Sequence, residues 1–221
     1  MKITKKKFIG IFGGTFDPVH SGHVQIIENF IRSVHLDELI VLPNGNPPHK
    51  EKRIDAGDKL HLVHLALGHI KNLRIDDREV QKKSPSYAYL TYQEIKNENP
   101  KDDLVWIMGS DSFLDLENWY EHVKFLEEVN ILVLERPGHT IEESSDISRR
   151  LKDKIVLNVE ELKNSKGKIF FLKINPIKIT STDIRDLIKN DEDVSDLLNK
   201  EVYDFIKNKN LYRKHGKKSQ E

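Results

Sequence analysis

Phe8-Ile9-Gly10-Ile11-Phe12-Gly13-Gly14-Thr15-Phe16-Asp17-Pro18-Val19-His20-Ser21-Gly22-His23 is the stretch that decides the fold. Phe8 to Phe12 is apolar nearly throughout, the pattern of a short strand covered on both faces. Gly13 and Gly14 follow, able to take positive φ and to let the backbone close on a ligand. A helical pattern then begins. Val24, Ile27, Phe30, Ile31 and Val34 share one face, with Ser21 as the candidate cap. Strand, glycine turn and helix start in direct succession place unpaired N–H groups beyond the carboxyl end of a strand. Open parallel sheets bind ligands there.

The same alternation continues outward from this unit. Further strand candidates are Leu39–Leu42, Leu104–Met108, Ile131–Leu134 and Ile169–Ile174, with a weaker one at Leu73–Ile75. Leu60, Val63, Leu67 and Ile70 mark a second helix. Tyr87, Leu90, Thr91 and Ile95 mark a third, which ends before Pro100. The expected fold is α/β, a Rossmann-like doubly wound parallel sheet with helices on both faces. Residues 1–213 read as a single domain, and 214–221 as a polar, frayed tail. Residues 140–168 are charged and irregular, and read as peripheral.

Composition narrows the function. Lys plus Arg and Asp plus Glu number 36 each, so no global field draws the chain to nucleic acid or to a membrane. Any affinity for phosphate must come from local groups. The chain has no cysteine, which excludes a disulfide framework, thiolate chemistry and Cys-ligated zinc. No stretch approaches the ~20 apolar residues of a membrane span. The apolar run after Lys7 is too short for a signal-peptide core, so a cytoplasmic location is expected.

His20 and His23 stand three apart at a helix start, so both can face one point, and Gly22 removes bulk beside them. The run is neither a P-loop, since GxxxxGK[ST] is missing, nor a GxGxxG fingerprint. An ordinary tight turn, two surface histidines or a metal pair remain alternatives on spacing alone, although no third ligand sits at a recognisable distance. Far along the chain, Ile179-Thr180-Ser181-Thr182-Asp183-Ile184-Arg185 offers a second anion site. Ser181 or Thr182 can cap the helix running through Leu187 and Ile188. Arg185, one turn in, can meet a phosphate with a fork of donors. By itself, without the first motif, this reads as an ordinary capped helix with a surface arginine.

The eleven residues Gly13 to His23 resemble the signature of the HxGH nucleotidyltransferase superfamily, and 179–185 resemble its second signature, ISSTxIR, with Thr180 in place of Ser. The resemblance implies a nucleotidyltransferase-type fold. It implies ATP binding by Gly13, Gly14, Thr15, Phe16, His20, His23, Gly109, Ile179, Ser181, Thr182 and Arg185, with His20, His23 and Arg185 catalytic. No protein metal site is implied; Mg²⁺ is expected to arrive with ATP.

Other segments narrow the acceptor. They are Pro47-Pro48-His49-Lys50, Ser86-Tyr87-Ala88-Tyr89-Leu90-Thr91, Gly109-Ser110-Asp111, Asn118-Trp119-Tyr120 and Arg136-Pro137-Gly138. Taken in this order they resemble the bacterial nicotinate-nucleotide adenylyltransferase family from Phe8 to about Tyr212. Ala88 departs from that family's SYTxxT pattern. The resemblance implies that ATP and nicotinate mononucleotide are the substrates. It assigns Asn44, His49, Lys50, Tyr87, Thr91, Asp111, Trp119, Tyr120 and Arg136 to the nicotinate nucleotide, with Trp119 stacking near the pyridine ring. Three alternatives stay open: nicotinamide mononucleotide as acceptor, another phosphate acceptor, and a non-catalytic nucleotide-binding regulator. A homodimer also stays open.

Overall fold

The computed structural model describes residues 5–45, 54–82, 84–135, 149–174 and 179–213. The strands are β1 (Phe8–Gly14), β2 (Glu38–Pro43), β3 (Leu73–Ile75), β4 (Asp103–Gly109), β5 (Asn130–Glu135), β6 (Ile155–Val156) and β7 (Ile169–Lys173). They form one sheet in the order β3-β2-β1-β4-β5-β7-β6, and every pairing is parallel. Among the described residues the helices are α1 (Ser21–Val34), α2 (Ala56–Leu67), α3 (Arg78–Gln81), α4 (Ala88–Glu98), α5 (Ser110–Leu114), α6 (His122–Glu128), α7 (Ser181–Lys189) and α8 (Lys200–Asn208). None of them is long and apolar enough to cross a membrane.

Strand residues alternate between two cores, one on each face of the sheet. Leu39, Val41, Val105 and Ile107 bury on one face, with Ile27 and Phe30 of α1, Leu62 and Val63 of α2, Ile184 of α7 and Val202 of α8. Ile40, Leu42, Trp106 and Met108 bury on the other, with Ile95 of α4, Phe113 of α5 and Phe125 of α6. Apolar side chains on both faces of each strand explain why these segments read as continuous apolar runs, without polar alternation. The doubly wound sheet expected from the sequence is therefore present.

The order of strands matters for function. From β1 the chain builds outward through β2 and β3, then returns to the other side of β1 with β4. The switch point lies between β1 and β4, and in open parallel sheets the space beyond the carboxyl ends of such strands is the crevice where ligands bind. Gly13, Gly14 and Gly109 are the residues that end these two strands.

Residues 149–168 correct the expectation of a peripheral segment. Ile155–Val156 is the edge strand β6, and Leu162 is fully buried. Buried Asn130 at the start of β5 ties the segment down. Its Nδ2 donates to the carbonyls of Leu162 (2.8 Å) and Ser165 (2.9 Å), and its Oδ1 accepts from the Lys168 N–H (3.0 Å). Charge-rich composition hid this role because the anchoring bonds go to backbone groups. Asn130→Ala removes all three bonds and leaves the half-buried Ser165 carbonyl and Lys168 N–H without this partner, while the Leu162 carbonyl keeps Ser165 Oγ at 3.0 Å, so a loss of about 1–2 kcal/mol in unfolding free energy is expected from urea titration. An unchanged midpoint would show that the knot is dispensable.

Candidate active site

α1 starts at Ser21, and its cap is His20 rather than the expected Ser21. Ser21 is occupied elsewhere: its hydroxyl donates to the Leu197 carbonyl at 2.9 Å. The two imidazoles close the helix start between them. His23 Nδ1 accepts from the backbone N–H of His20 at 3.3 Å, and the ring centroids lie 3.8 Å apart. A neutral His23 that accepts at Nδ1 carries its proton on Nε2, which makes the outer edge of the ring a donor.

Helix α7 is also capped earlier than expected, by Thr180 and not by Ser181 or Thr182. Thr180 is the N-cap, accepting from the Asp183 N–H at 3.1 Å, while Asp183 Oδ2 accepts from the Thr180 N–H at 2.9 Å. The Thr180 hydroxyl also donates to Oδ2 at 2.7 Å, and this bond, with that from the Thr180 N–H, holds the Asp183 carboxylate below its ordinary range, the nearby His20 adding to the effect. With the cap supplied by Thr180, Ser181 and Thr182 serve other ends. Ser181 Oγ donates to the Pro18 carbonyl at 2.9 Å, and Thr182 Oγ1 accepts from Arg185 Nη2 at 2.8 Å.

Arg185 is not a surface arginine but is 93% buried, with 7% of its surface exposed. Its Nη1 donates to the carbonyl of Asp17. Two motifs separated by more than 160 positions are thus joined directly, by Arg185 to Asp17 and Ser181 to Pro18. The N-terminus of α7 faces the histidine pair at the N-terminus of α1. Two helix starts brought together in this way combine their partial positive charges, a geometry that favours anions.

The glycines fit this close packing. A Cβ on Gly14 would stand 2.7 Å from the ring of Phe16, and one on Gly109 would stand 2.4 Å from the Asp111 carboxylate. Phe16 itself has positive φ and a buried ring that packs edge-on against Phe12 and His23. Its side chain is a brace for the turn.

Asn44 follows β2, and its N–H donates to the Gly14 carbonyl at 2.8 Å. Buried Lys59 of α2 donates through Nζ to the carbonyls of Asn44 and Gly45, clamping this loop beside β1. His49, Lys50 and Arg136 lie outside the described residues. Tyr87 and Tyr120, from separate segments, meet with ring centroids 4.7 Å apart and an interplanar angle of 34°, and both are exposed. Trp119 next to them is partly buried, edge-on to Phe125 at 5.7 Å. Asp111 is exposed at the crevice end of β4.

Thr91 needs a correction. It is fully buried, and its hydroxyl donates to Glu79 Oε1 at 2.8 Å, so it braces α4 from behind and does not offer its hydroxyl to a ligand. Its place on the apolar stripe of α4, one turn after Tyr87, could have shown this. Sequence reasoning gave no role to Asp17, Lys59 or Glu79. Asp17 and Glu79 are charged side chains that bury against uncharged partners, and neither carries a periodic signal.

The fold and this paired-helix site define a nucleotidyltransferase-type α/β protein. The cytidylyltransferase-like family model matches residues 11–187, and the chain belongs to that family. A "Probable nicotinate-nucleotide adenylyltransferase" of Clostridium tetani is 35% identical, over 95% of this chain and 100% of its own length. A relative with the same name from Clostridium acetobutylicum is 37% identical, over 94% and 99%. Within the broader group, the chain thus belongs to the nicotinate-nucleotide adenylyltransferase family. A solved structure of Plasmodium falciparum nicotinic acid mononucleotide adenylyltransferase complexed with NaAD shares the fold, with a TM-score of 0.71 over 93% of this chain and 97% of that one, at 19% identity.

Burial raises the pKa of Glu79, opposed by the Thr91 hydrogen bond and by Lys82, and assisted by Glu94 and Asp76. A carboxyl whose folded pKa is raised contributes stability below its unfolded pKa and loses it as pH rises through the folded value. Glu79→Gln keeps an oxygen acceptor for Thr91 and removes the charge. The variant is expected to match wild type in urea midpoint near pH 4 and to exceed it near pH 7.5. A gap of equal size at both pH values would contradict this account of Glu79.

Proposed function

We propose that this protein transfers the adenylyl group of ATP to nicotinate mononucleotide, forming nicotinate adenine dinucleotide and pyrophosphate in NAD biosynthesis. The observation that carries this reading is the direct joining of Asp17 and Pro18 to Arg185 and Ser181, which brings the segment before α1 together with the start of α7 beyond the end of β1. The family's named members support the acceptor. The exposed Tyr87–Tyr120 pair, with Trp119 beside it, offers flat surfaces suited to a pyridine ring.

In this mechanism an oxygen of the acceptor's 5′-phosphate attacks the α-phosphorus of ATP. A new O–P bond forms, the bond from the α-phosphorus to the α,β-bridging oxygen breaks, and pyrophosphate leaves with the electron pair. The second pKa of a phosphate monoester is ~6, so the nucleophile is already largely dianionic at pH 7. No general base is needed, which fits a site of donors rather than a Ser–His–Asp set. Catalysis is positioning and neutralisation of developing charge.

His23, its Nδ1 held by the His20 N–H, would direct Nε2–H at a phosphate oxygen. His20 would hydrogen-bond the same triphosphate. Arg185 would stabilise the leaving pyrophosphate from its fixed place between Asp17 and Thr182. Among the described residues no group of three or more His, Asp or Glu side chains could hold a metal ion. Imidazoles, hydroxyls and a guanidinium suit phosphate oxygens better than Mg²⁺. Mg²⁺ carried in on the phosphates of ATP would supply further charge neutralisation.

A pyrophosphate-release assay with ATP and a panel of acceptors tests the reaction. Preference for nicotinate mononucleotide over nicotinamide mononucleotide and over other phosphate acceptors is the expected result; ATP binding without turnover of any of them would favour a regulator. His23→Ala should lower turnover by roughly 10²-fold or more, the effect of losing one charge-stabilising donor. A folded variant with near-normal turnover would remove His23 from the mechanism. Trp119→Ala should raise KM for the nicotinate nucleotide more than for ATP. If only the ATP constant moves, the ring contact belongs to the adenine side.

A further inference from the structure

We propose that Tyr212 is a positioning residue for adenylyl transfer, a latch from the end of the fold onto the turn that carries His20. This rests on the reading of the site given above. Tyr212 Oη donates to Asp17 Oδ1 at 2.6 Å, across 195 positions of sequence. That length is typical of an O–H donor to a carboxylate, the stronger kind of hydrogen bond. Asp17 is buried, so its carboxylate needs such a partner. The same residue's carbonyl receives Arg185 Nη1. Asp17 therefore has Tyr212 on its side chain and Arg185 on its backbone, three positions before His20.

The rest of the fold fixes where Tyr212 stands. Helix α8 is docked on α2 by Lys209 to Asp58 at 2.8 Å and by the rings of His61 and Phe205, with centroids 4.5 Å apart. The chain then turns, with the Leu211 N–H donating to the Ile206 carbonyl at 3.0 Å. Tyr212 follows with φ 65°, in the left-handed region that a bulky side chain takes only where its surroundings impose it. Burial, and then the negative charge of Asp17, push its hydroxyl far above the ordinary tyrosine range, so it stays a donor at every working pH. A rigid path thus runs from α2 through α8 and Tyr212 to Asp17, and from there to Arg185.

The test compares wild type with Tyr212→Phe, Asp17→Ala and the double variant in the pyrophosphate-release assay, alongside ATP dissociation constants and melting temperatures. Tyr212→Phe should lower kcat about tenfold, with KM for nicotinate mononucleotide within about twofold, because the latch orders phosphate donors and not the acceptor pocket. Asp17→Ala should show a similar fall, and the double variant should fall no further. Additive losses, or an unchanged kcat in Tyr212→Phe, overturn the latch. If Tyr212→Phe does not fold, Asp17→Asn decides, since its amide oxygen still accepts from the Tyr212 hydroxyl. Retained kcat in that variant supports the latch, and a fall equal to that of Asp17→Ala overturns it. A wild type that binds ATP but releases no pyrophosphate with any acceptor refutes the proposed function and not the latch. The latch is then read from the same coupling pattern in ATP dissociation constants.

Discussion

The turn from Thr15 to His20 can be buried only because α7 supplies it with donors. Phe16, Asp17, Pro18 and Val19 are all buried, yet they form no regular structure whose ladder would satisfy their carbonyls. Buried backbone acceptors without partners are costly. Arg185 meets the carbonyl of Asp17 and Ser181 meets that of Pro18. The donors that settle the turn are side chains of the motif that faces it, so the site cannot form in halves. Packing of α7 on the sheet through Ile184 and Ile188 and assembly of the crevice are one event.

Sheet order gives that event its location. Because β1 lies between β2 and β4, three strand ends converge at the crevice, bringing Gly14, Asn44 and Gly109 together from separate stretches of chain. The glycines keep side-chain atoms out of that space. Lys59 holds the Asn44 loop from outside, so the floor of the crevice is fixed by a helix on the far side of β2. The aromatic pair Tyr87 and Tyr120 comes from segments attached to α4 and to the turn before α6, on the opposite face from α1 and α7.

How much of this was legible in the sequence follows from the kind of force involved. Strands buried on both faces announce themselves as apolar runs, and all six expected strands form. β6 did not announce itself, because two residues at a sheet edge carry too short a pattern and sit in a charged segment. The strings at 13–23 and 179–185 marked the two halves of the site. Their internal roles were less visible: capping went to His20 and Thr180 because Ser21 and Ser181 found carbonyls elsewhere in the fold. Thr91 looked like a ligand contact in the string, yet it is a buried brace for Glu79. A hydroxyl's partner is set by tertiary geometry, which local sequence does not encode.

The acidic residues beside the crevice complete the electrostatic argument. A carboxylate beside a phosphate weakens its binding, and this chain has as many acidic as basic side chains. Asp17 and Asp183 lie within the two motifs themselves. Each accepts hydrogen bonds from its own surroundings: Asp17 from Tyr212, and Asp183 from the hydroxyl and N–H of Thr180. Their negative charge is directed into hydrogen bonds that build the turn and the helix start. With both carboxylates bonded in this way, the starts of α1 and α7 keep the partial positive charge that favours phosphate, even in a chain with no net charge.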